Sequence, residues 1–222
     1  MTKRYEQIPM EYDCLQADEM VRRAERFNQD MQRRRTVRSF SDEPVDRDII
    51  RNCIRAAGSA PSGAHQQPWH FAVIEEADVK RRIRLAAEEE EQAFYAGRAG
   101  EEWLGAVTPL GTDSEKPFLE SAPFLIVVFA ERYREGADGN PIKHYYVTES
   151  VGIATGILIT ALHQSGLATL THTPAPMKFL NEIVGRPESE RPFLILVVGH
   201  PAADATVPAI KRKTLEQISS WH

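Results

Sequence analysis

The sequence predicts a single α+β domain over residues 1–222, and three observations carry that expectation. Stretches of helical periodicity are interspersed with short, continuous apolar runs of strand length. The composition, 42% apolar and 27% charged over 222 residues, is that of a globular chain able to bury one sizeable core. No repeat, low-complexity stretch or linker divides it.

The elements follow in order. Met20, Ala24, Phe27 and Met31 are spaced four, three and four apart, the stripe of an amphipathic helix. Asp46 is placed to cap a second helix with Ile50, Cys53, Ile54 and Ala57 on its buried face. That helix ends in the turn-forming run 58–64, and a short strand follows near His70–Ile74. One charged helix is expected from about Asp78 to Leu104, then a mobile loop over Gly105–Lys116, rich in Pro, Gly, Asp and Ser. Beyond it come a buried strand at Phe124–Phe129, a long apolar helix at Tyr145–Gln164 and a strand at Leu167–Thr171. A short helix from Met177 ends at Gly185, before a buried strand at Phe193–Val198. The tail of about residues 201–222 is polar and cannot make its own core, which predicts packing on a partner subunit.

Charge and motifs exclude several classes. A net charge of −5 gives no general attraction to nucleic acid or an anionic membrane, although Arg33-Arg34-Arg35 and Lys211-Arg212-Lys213 suit a small anionic ligand. Two cysteines without a Cys-x-x-Cys pair rule out a small secreted disulfide framework and fit a reducing compartment. No apolar run stands behind the basic N-terminus, and Phe124–Ala130 is too short to span a bilayer, so a soluble cytoplasmic protein is expected. There is no Gly-x-Gly-x-x-Gly fingerprint, P-loop or Gly-x-Ser-x-Gly elbow. The seven histidines lack metal-ligand spacing, so no metal is expected.

Two clusters carry chemistry. Arg34-Arg35-Thr36-Val37-Arg38 combines guanidinium forks and a hydroxyl, the groups a phosphate monoester takes; the same charges at a helix end also complement the helix dipole. Ala60-Pro61-Ser62-Gly63-Ala64-His65-Gln66-Gln67-Pro68-Trp69 reads either as a punctuated turn or as a backbone that lets a flat ring approach closely. Glu91 and Tyr95 lie four apart on one helix face, with Lys116 on the following loop. An acid, a phenol and an ammonium together suit a zwitterion; taken singly, Glu91 is one of four solvated glutamates and Lys116 a loop lysine.

Together the clusters resemble the flavin-binding framework of the iodotyrosine deiodinases, a family of the nitroreductase superfamily. The resemblance runs from about residue 30 to 218 through Glu88-Glu89-Glu90-Glu91…Tyr95, Leu170-Thr171-His172-Thr173-Pro174, Gly185-Arg186-Pro187 and Ala205-Thr206-Val207-Pro208…Lys211-Arg212-Lys213. It implies a nitroreductase-like FMN-binding α+β fold, with a central mixed or antiparallel sheet flanked by helices. It also implies an intertwined homodimer with active sites at the interface. By resemblance Arg34, Arg35, Thr36, Val37, Arg38, Ser62, Gly63, Thr171, His172, Thr173 and Arg212 form the FMN site. Within it, the Thr173 hydroxyl addresses flavin N5 as the catalytic contact. Ala64, through its backbone amide, and Glu91, Tyr95 and Lys116 bind the substrate.

The activity implied is reductive dehalogenation of halotyrosines, iodotyrosine giving tyrosine and halide. A general NAD(P)H-dependent nitroreductase or quinone reductase shares the same flavin framework without needing the Glu91–Tyr95–Lys116 trio. So does the flavin-destroying enzyme of cobalamin lower-ligand synthesis. A non-catalytic flavin or amino-acid binder is the alternative from another class. Two departures from the family stand out: Thr36 replaces the serine of many relatives, and His172 stands where vertebrate members have threonine.

Overall fold

The run Phe124–Glu131 forms strand β2, and its first seven residues are buried. Such a run marks a strand covered on both faces. In the structure, a computed structural model describing residues 6–97 and 100–222, β2 pairs on one side with β1 (Trp69–Ile74). On its other side lies β6 (Glu190–Gly199), and β5 (Ala168–His172) completes the order β1-β2-β6-β5. Every pair in this sheet is antiparallel. An isolated parallel bridge, Thr36 to Thr169, adds the mixed character at the β5 edge.

Strand alternation sorts the side chains of β2 into two cores. Phe124, Ile126, Val128 and Ala130 pack in one cluster with Ile50, Cys53 and Ala57 of α2 (Arg47–Gly58) and Val151, Leu158 and Leu162 of α6 (Val147–Gln164). Leu125, Val127 and Phe129 pack in the other. There they join Ile83 and Ala87 of α3 (Ala77–Gly97), Phe118 and Leu119 of α5 (Phe118–Ser121), and Leu180 of α7 (Phe179–Val184). Each fully buried aliphatic side chain contributes about 1.5–3 kcal/mol, so the helices on both faces are held chiefly by this sheet.

Local signals operate as expected at several ends. Asp46 accepts the Asp48 N–H at 2.8 Å and caps α2. Gly185 terminates α7 in the left-handed region at φ 65°, where glycine carries no Cβ penalty.

Three features differ from the sequence expectation. The charged segment is not one helix to Leu104: α3 ends at Gly97, and α4 (Glu101–Val107) starts from an extended N-cap at Gly100. Two glycines of low helix propensity bracket that break. The expected loop 105–116 contains the end of α4 and a 3₁₀ turn, Thr108–Leu110, which tolerates Pro109 in its first positions and closes on Gly111 at φ 63°. A hairpin of β3 (Tyr133–Glu135) and β4 (Pro141–Lys143) went unread because its exposed three-residue strands have no apolar alternation.

The chain divides into units 1–34 and 35–222. In the first, α1 (Ala17–Arg33) buries no residue, and exposed pairs of Arg22 with Asp18 and Arg23 with Glu19 run along it. In the second, the tail ends in α8 (Leu215–Ile218), capped by the reciprocal Thr214–Gln217 box, with Leu215, Ile218 and Trp221 exposed. Among the described residues no helix is long and apolar enough to cross a membrane.

Candidate active site

Strand β5 is the axis along which the site residues are arranged. At its start, the Val37 N–H donates to the Thr169 carbonyl at 3.2 Å and the Val37 side chain enters the core. Arg35 donates to the Pro208 carbonyl, which ties the strip to the chain returning after β6. Arg38 and Ser39 line a cleft of about 600 Å³ together with Thr108–Gly111 and residues 204 and 206–208. Burial lowers the pKa of Arg38, and its guanidinium has no hydrogen-bond or ion-pair partner among the described residues. A half-buried cation that makes no ion pair is a receptive site for an anion, although the Asp204 carboxylate also lines this cleft.

The turn after α2 is held in an uncommon conformation. Ala64, His65 and Gln67 all have positive φ, at 49°, 54° and 51°. Each such residue typically costs on the order of 1 kcal/mol or more, so surrounding contacts must hold them. Those contacts are present: Ser62 Oγ accepts the Gln67 N–H at 2.9 Å, and the Gln66 side chain accepts the Tyr145 N–H at 2.7 Å. The Gly63 N–H donates to Ser150 Oγ at 3.3 Å. A Cβ on Gly63 would lie 2.7 Å from the Tyr145 carbonyl oxygen, so packing against the start of α6 already requires glycine there. The turn's own bonds run from His65 N–H to Ser62 and from Gln66 N–H to Gly63, and neither uses the Ala64 N–H.

At the far end of β5, Thr171 and Thr173 are exposed while His172 between them is buried. The His172 ring meets Phe118 edge-on at 5.8 Å between centroids, and its Nε2 is buried without a hydrogen-bond partner. Burial, reinforced by the Lys116 charge, lowers its pKa to about 3, so the imidazole is neutral. Its side chain therefore points away from the side that the two threonines share, and only its backbone can join them along a ring.

Lys116 lies beside this end of the strand. Its Nζ is 3.4 Å from Glu91 Oε2 and 6.0 Å from the centroid of the Tyr95 ring, and it donates to the Asp113 carbonyl. Burial raises the pKa of the Tyr95 phenol, as do the Glu91 and Asp113 charges, with a Thr112 hydrogen bond opposing them. The phenol therefore stays protonated at neutral pH.

The fold thus brings Glu91, Tyr95 and Lys116 together, and sets Thr36 and Arg38 at the start of β5 with Thr171 and Thr173 at its end. Arg34 closes α1 as its C-cap in the first unit, and Arg212 is exposed on the tail. The Gly185-Arg186-Pro187 motif is structural: Arg186 forks onto buried Glu190, and Asn181 Nδ2 donates to the Pro187 and Glu190 carbonyls at 3.0 and 2.8 Å. Sequence reasoning assigns no role of their own to Gln66 and Glu88, although both stand inside its motifs, and it misses Ser150 and Arg84.

Residues 31–200 match the sequence profile of the Nitroreductase family. An iodotyrosine deiodinase of Haliscomenobacter hydrossis is 50% identical over 93% of this chain and 93% of its own length. Iodotyrosine deiodinase 1 of Homo sapiens is 43% identical over 96% of this chain and 74% of its own. The chain belongs to the nitroreductase family, in the group of the iodotyrosine deiodinases. Among solved structures, an oxidized iodotyrosine deiodinase bound to FMN and 3-iodo-L-tyrosine superposes with a TM-score of 0.74 at 30% identity, covering 88% of this chain and 100% of that one. A nitroreductase with bound FMN from Bacteroides fragilis, at 18% identity and a TM-score of 0.64, shows the shared fold.

Proposed function

We propose that this chain is an FMN-dependent enzyme that reductively dehalogenates halogenated tyrosines, converting iodotyrosine to tyrosine and halide. The observation that carries the reading is the convergence of Glu91, Tyr95 and Lys116 in one half-buried cluster. The identity to iodotyrosine deiodinases and the likeness to the FMN and 3-iodo-L-tyrosine complex support it.

The residues present fit FMN. Arg38, without an ion-pair partner among the described residues, suits the phosphate together with Arg35 and Thr36, and the exposed Thr171 and Thr173 offer hydroxyls to a ring. When bound, FMN supplies the electrons of the reaction. Overall, a carbon–halogen bond is replaced by carbon–hydrogen, halide leaves, and two electrons and one proton are consumed.

The chain's own residues bind, orient and exclude water. Without substrate, Glu91 and Lys116 neutralise each other. A zwitterion replaces that pair by two new ones, its ammonium on Glu91 and its carboxylate on Lys116 and the Tyr95 hydroxyl. The charges are already out of water, so much of their desolvation precedes binding. The Ala64 N–H, not used in the turn's own bonds, would donate to the phenolate oxygen, and the exposed Thr173 hydroxyl would address flavin N5 when FMN is bound. A halophenol gains nothing from the clasp, and this sets the specificity.

The protein works as a homodimer, one domain per chain, with the tail of residues 201–222 packed on the other subunit and carrying Arg212 to the cofactor. Exposed Ile210, Leu215, Ile218 and Trp221 support this. A cytoplasmic location is supported by the two free cysteines, Cys14 and Cys53.

The decisive assay supplies chemically reduced, FMN-loaded protein anaerobically with iodotyrosine, iodophenol or a nitroaromatic. Iodide release from iodotyrosine, well above that from iodophenol, is expected. Nitroaromatic reduction with no iodide release would leave a general nitroreductase.

A further inference from the structure

Arg84, Glu88, Glu91 and Tyr95 are spaced four, three and four apart and share one face of α3. The first three meet the segment Lys116–Glu120, rung by rung. Arg84 Nε donates to Glu120 Oε2 at 2.6 Å. Glu88 Oε1 accepts the Lys116 backbone N–H at 2.7 Å, while Glu88 Oε2 accepts from Arg84 Nη1 at 2.7 Å. The third rung is the approach of Glu91 to Lys116 Nζ.

We infer that Glu88 is a positioning residue: it fixes the backbone of Lys116 on α3 so that the ammonium stands between Glu91 and Tyr95. The inference rests on reading those three residues as the clasp for the zwitterion.

A lysine ammonium is a point charge on a flexible stem with about 2 kcal/mol of rotamer entropy, so its position is defined only if its Cα is held. Lys116 precedes a proline, which has no N–H to anchor the chain at the next residue. The N–H of Lys116 is the nearby backbone donor that can do so, and in a buried residue it needs an acceptor. Glu88 is that acceptor. It does not swing toward Nζ, because Arg84 holds its second oxygen and Glu120 holds Arg84. Both ends of the 116–120 turn are thereby tied to α3. The labour is divided: Glu88 takes the backbone of Lys116, which leaves Glu91 free to exchange Nζ for a substrate ammonium.

The test uses FMN-loaded Glu88→Ala and Glu88→Gln, with hydrogen exchange at the Lys116 amide and steady-state kinetics on iodotyrosine and iodophenol. Glu88→Ala should speed that exchange and raise the KM for iodotyrosine about tenfold, the loss of one charge-assisted hydrogen bond, with a much smaller change for iodophenol. Glu88→Gln, whose amide oxygen still accepts the N–H, should restore most of both. Arg84→Met frees the Glu88 carboxylate without removing it and should shift the KM in the same direction. Unchanged exchange, or equal losses with both substrates, would overturn the inference. Lys116→Met separates the two claims. If it keeps the preference for iodotyrosine, the clasp itself is wrong; if it loses the preference while Glu88→Ala keeps it, only the role of Glu88 falls.

Discussion

Lys116 Nζ and Glu91 Oε2 stand 3.4 Å apart, with only 3% and 14% of the two side chains exposed. They come from segments 25 residues apart in the chain (116 − 91) and meet because α3 and the turn into α5 pack on the same face of the sheet. An ion pair so placed is a template for a ligand bearing the same two charges in exchange.

Glu91→Gln keeps the shape and removes the charge. We expect kcat/KM for iodotyrosine to fall by roughly 2–4 kcal/mol equivalents, the loss typical of one partner of a desolvated charge pair. Iodophenol, with no zwitterion, should be nearly unaffected. Steady-state iodide release from the two substrates checks this, and a common loss would reduce Glu91 to a structural role.

Arg38→Ala should weaken FMN binding by about 1.5–3 kcal/mol, one charge-assisted hydrogen bond, while barely changing the affinity for riboflavin, which lacks the phosphate. Fluorescence of released flavin measures both. If the variant loses FMN and riboflavin alike, the guanidinium does not serve the phosphate.

Thr173 is exposed just beyond the end of β5 and precedes buried Pro174. Thr173→Ala removes a hydroxyl with little change in volume, whereas Thr173→Ser retains it. Dehalogenation should fall in the alanine variant and persist in the serine variant, with nitroreduction surviving in both. The ratio of the two activities is the readout, and an unchanged ratio in the alanine variant removes Thr173 from the chemistry.

His172 gives a pH dependence of known sign. Its folded pKa of about 3 lies below the ordinary 6.5, so between those values the unfolded chain binds the extra proton. The stability it contributes is complete above that window and lost as pH falls through it, at up to ~1.4 kcal/mol per pH unit. Urea unfolding from about pH 7 to about pH 5 should show wild type losing more stability than His172→Leu. Parallel curves would mean that the ring is hydrated or paired in solution.

Much of this molecule is local, and so was legible in the chain. The β2 run announced a doubly covered strand, Asp46 announced the start of α2 and Gly185 the end of α7. These follow from side-chain period, capping and φ preference, which act within a few residues. The resemblance likewise rested on contiguous motifs such as Arg34-Arg35-Thr36-Val37-Arg38. Where glycines interrupt the charged helix, the local signal was ambiguous, and its length was overestimated.

Tertiary structure decided which of these residues meet and which way they face. Sequence alone could not give Glu88 the backbone N–H of Lys116, Gln66 the N–H of Tyr145, or Gly63 the carbonyl that forbids a side chain there, because each contact joins distant segments through the sheet. Nor could it settle His172. A one-residue step along a strand reverses the side chain, and packing on Phe118 put the imidazole inside, beside Lys116, while Thr171 and Thr173 were left facing out.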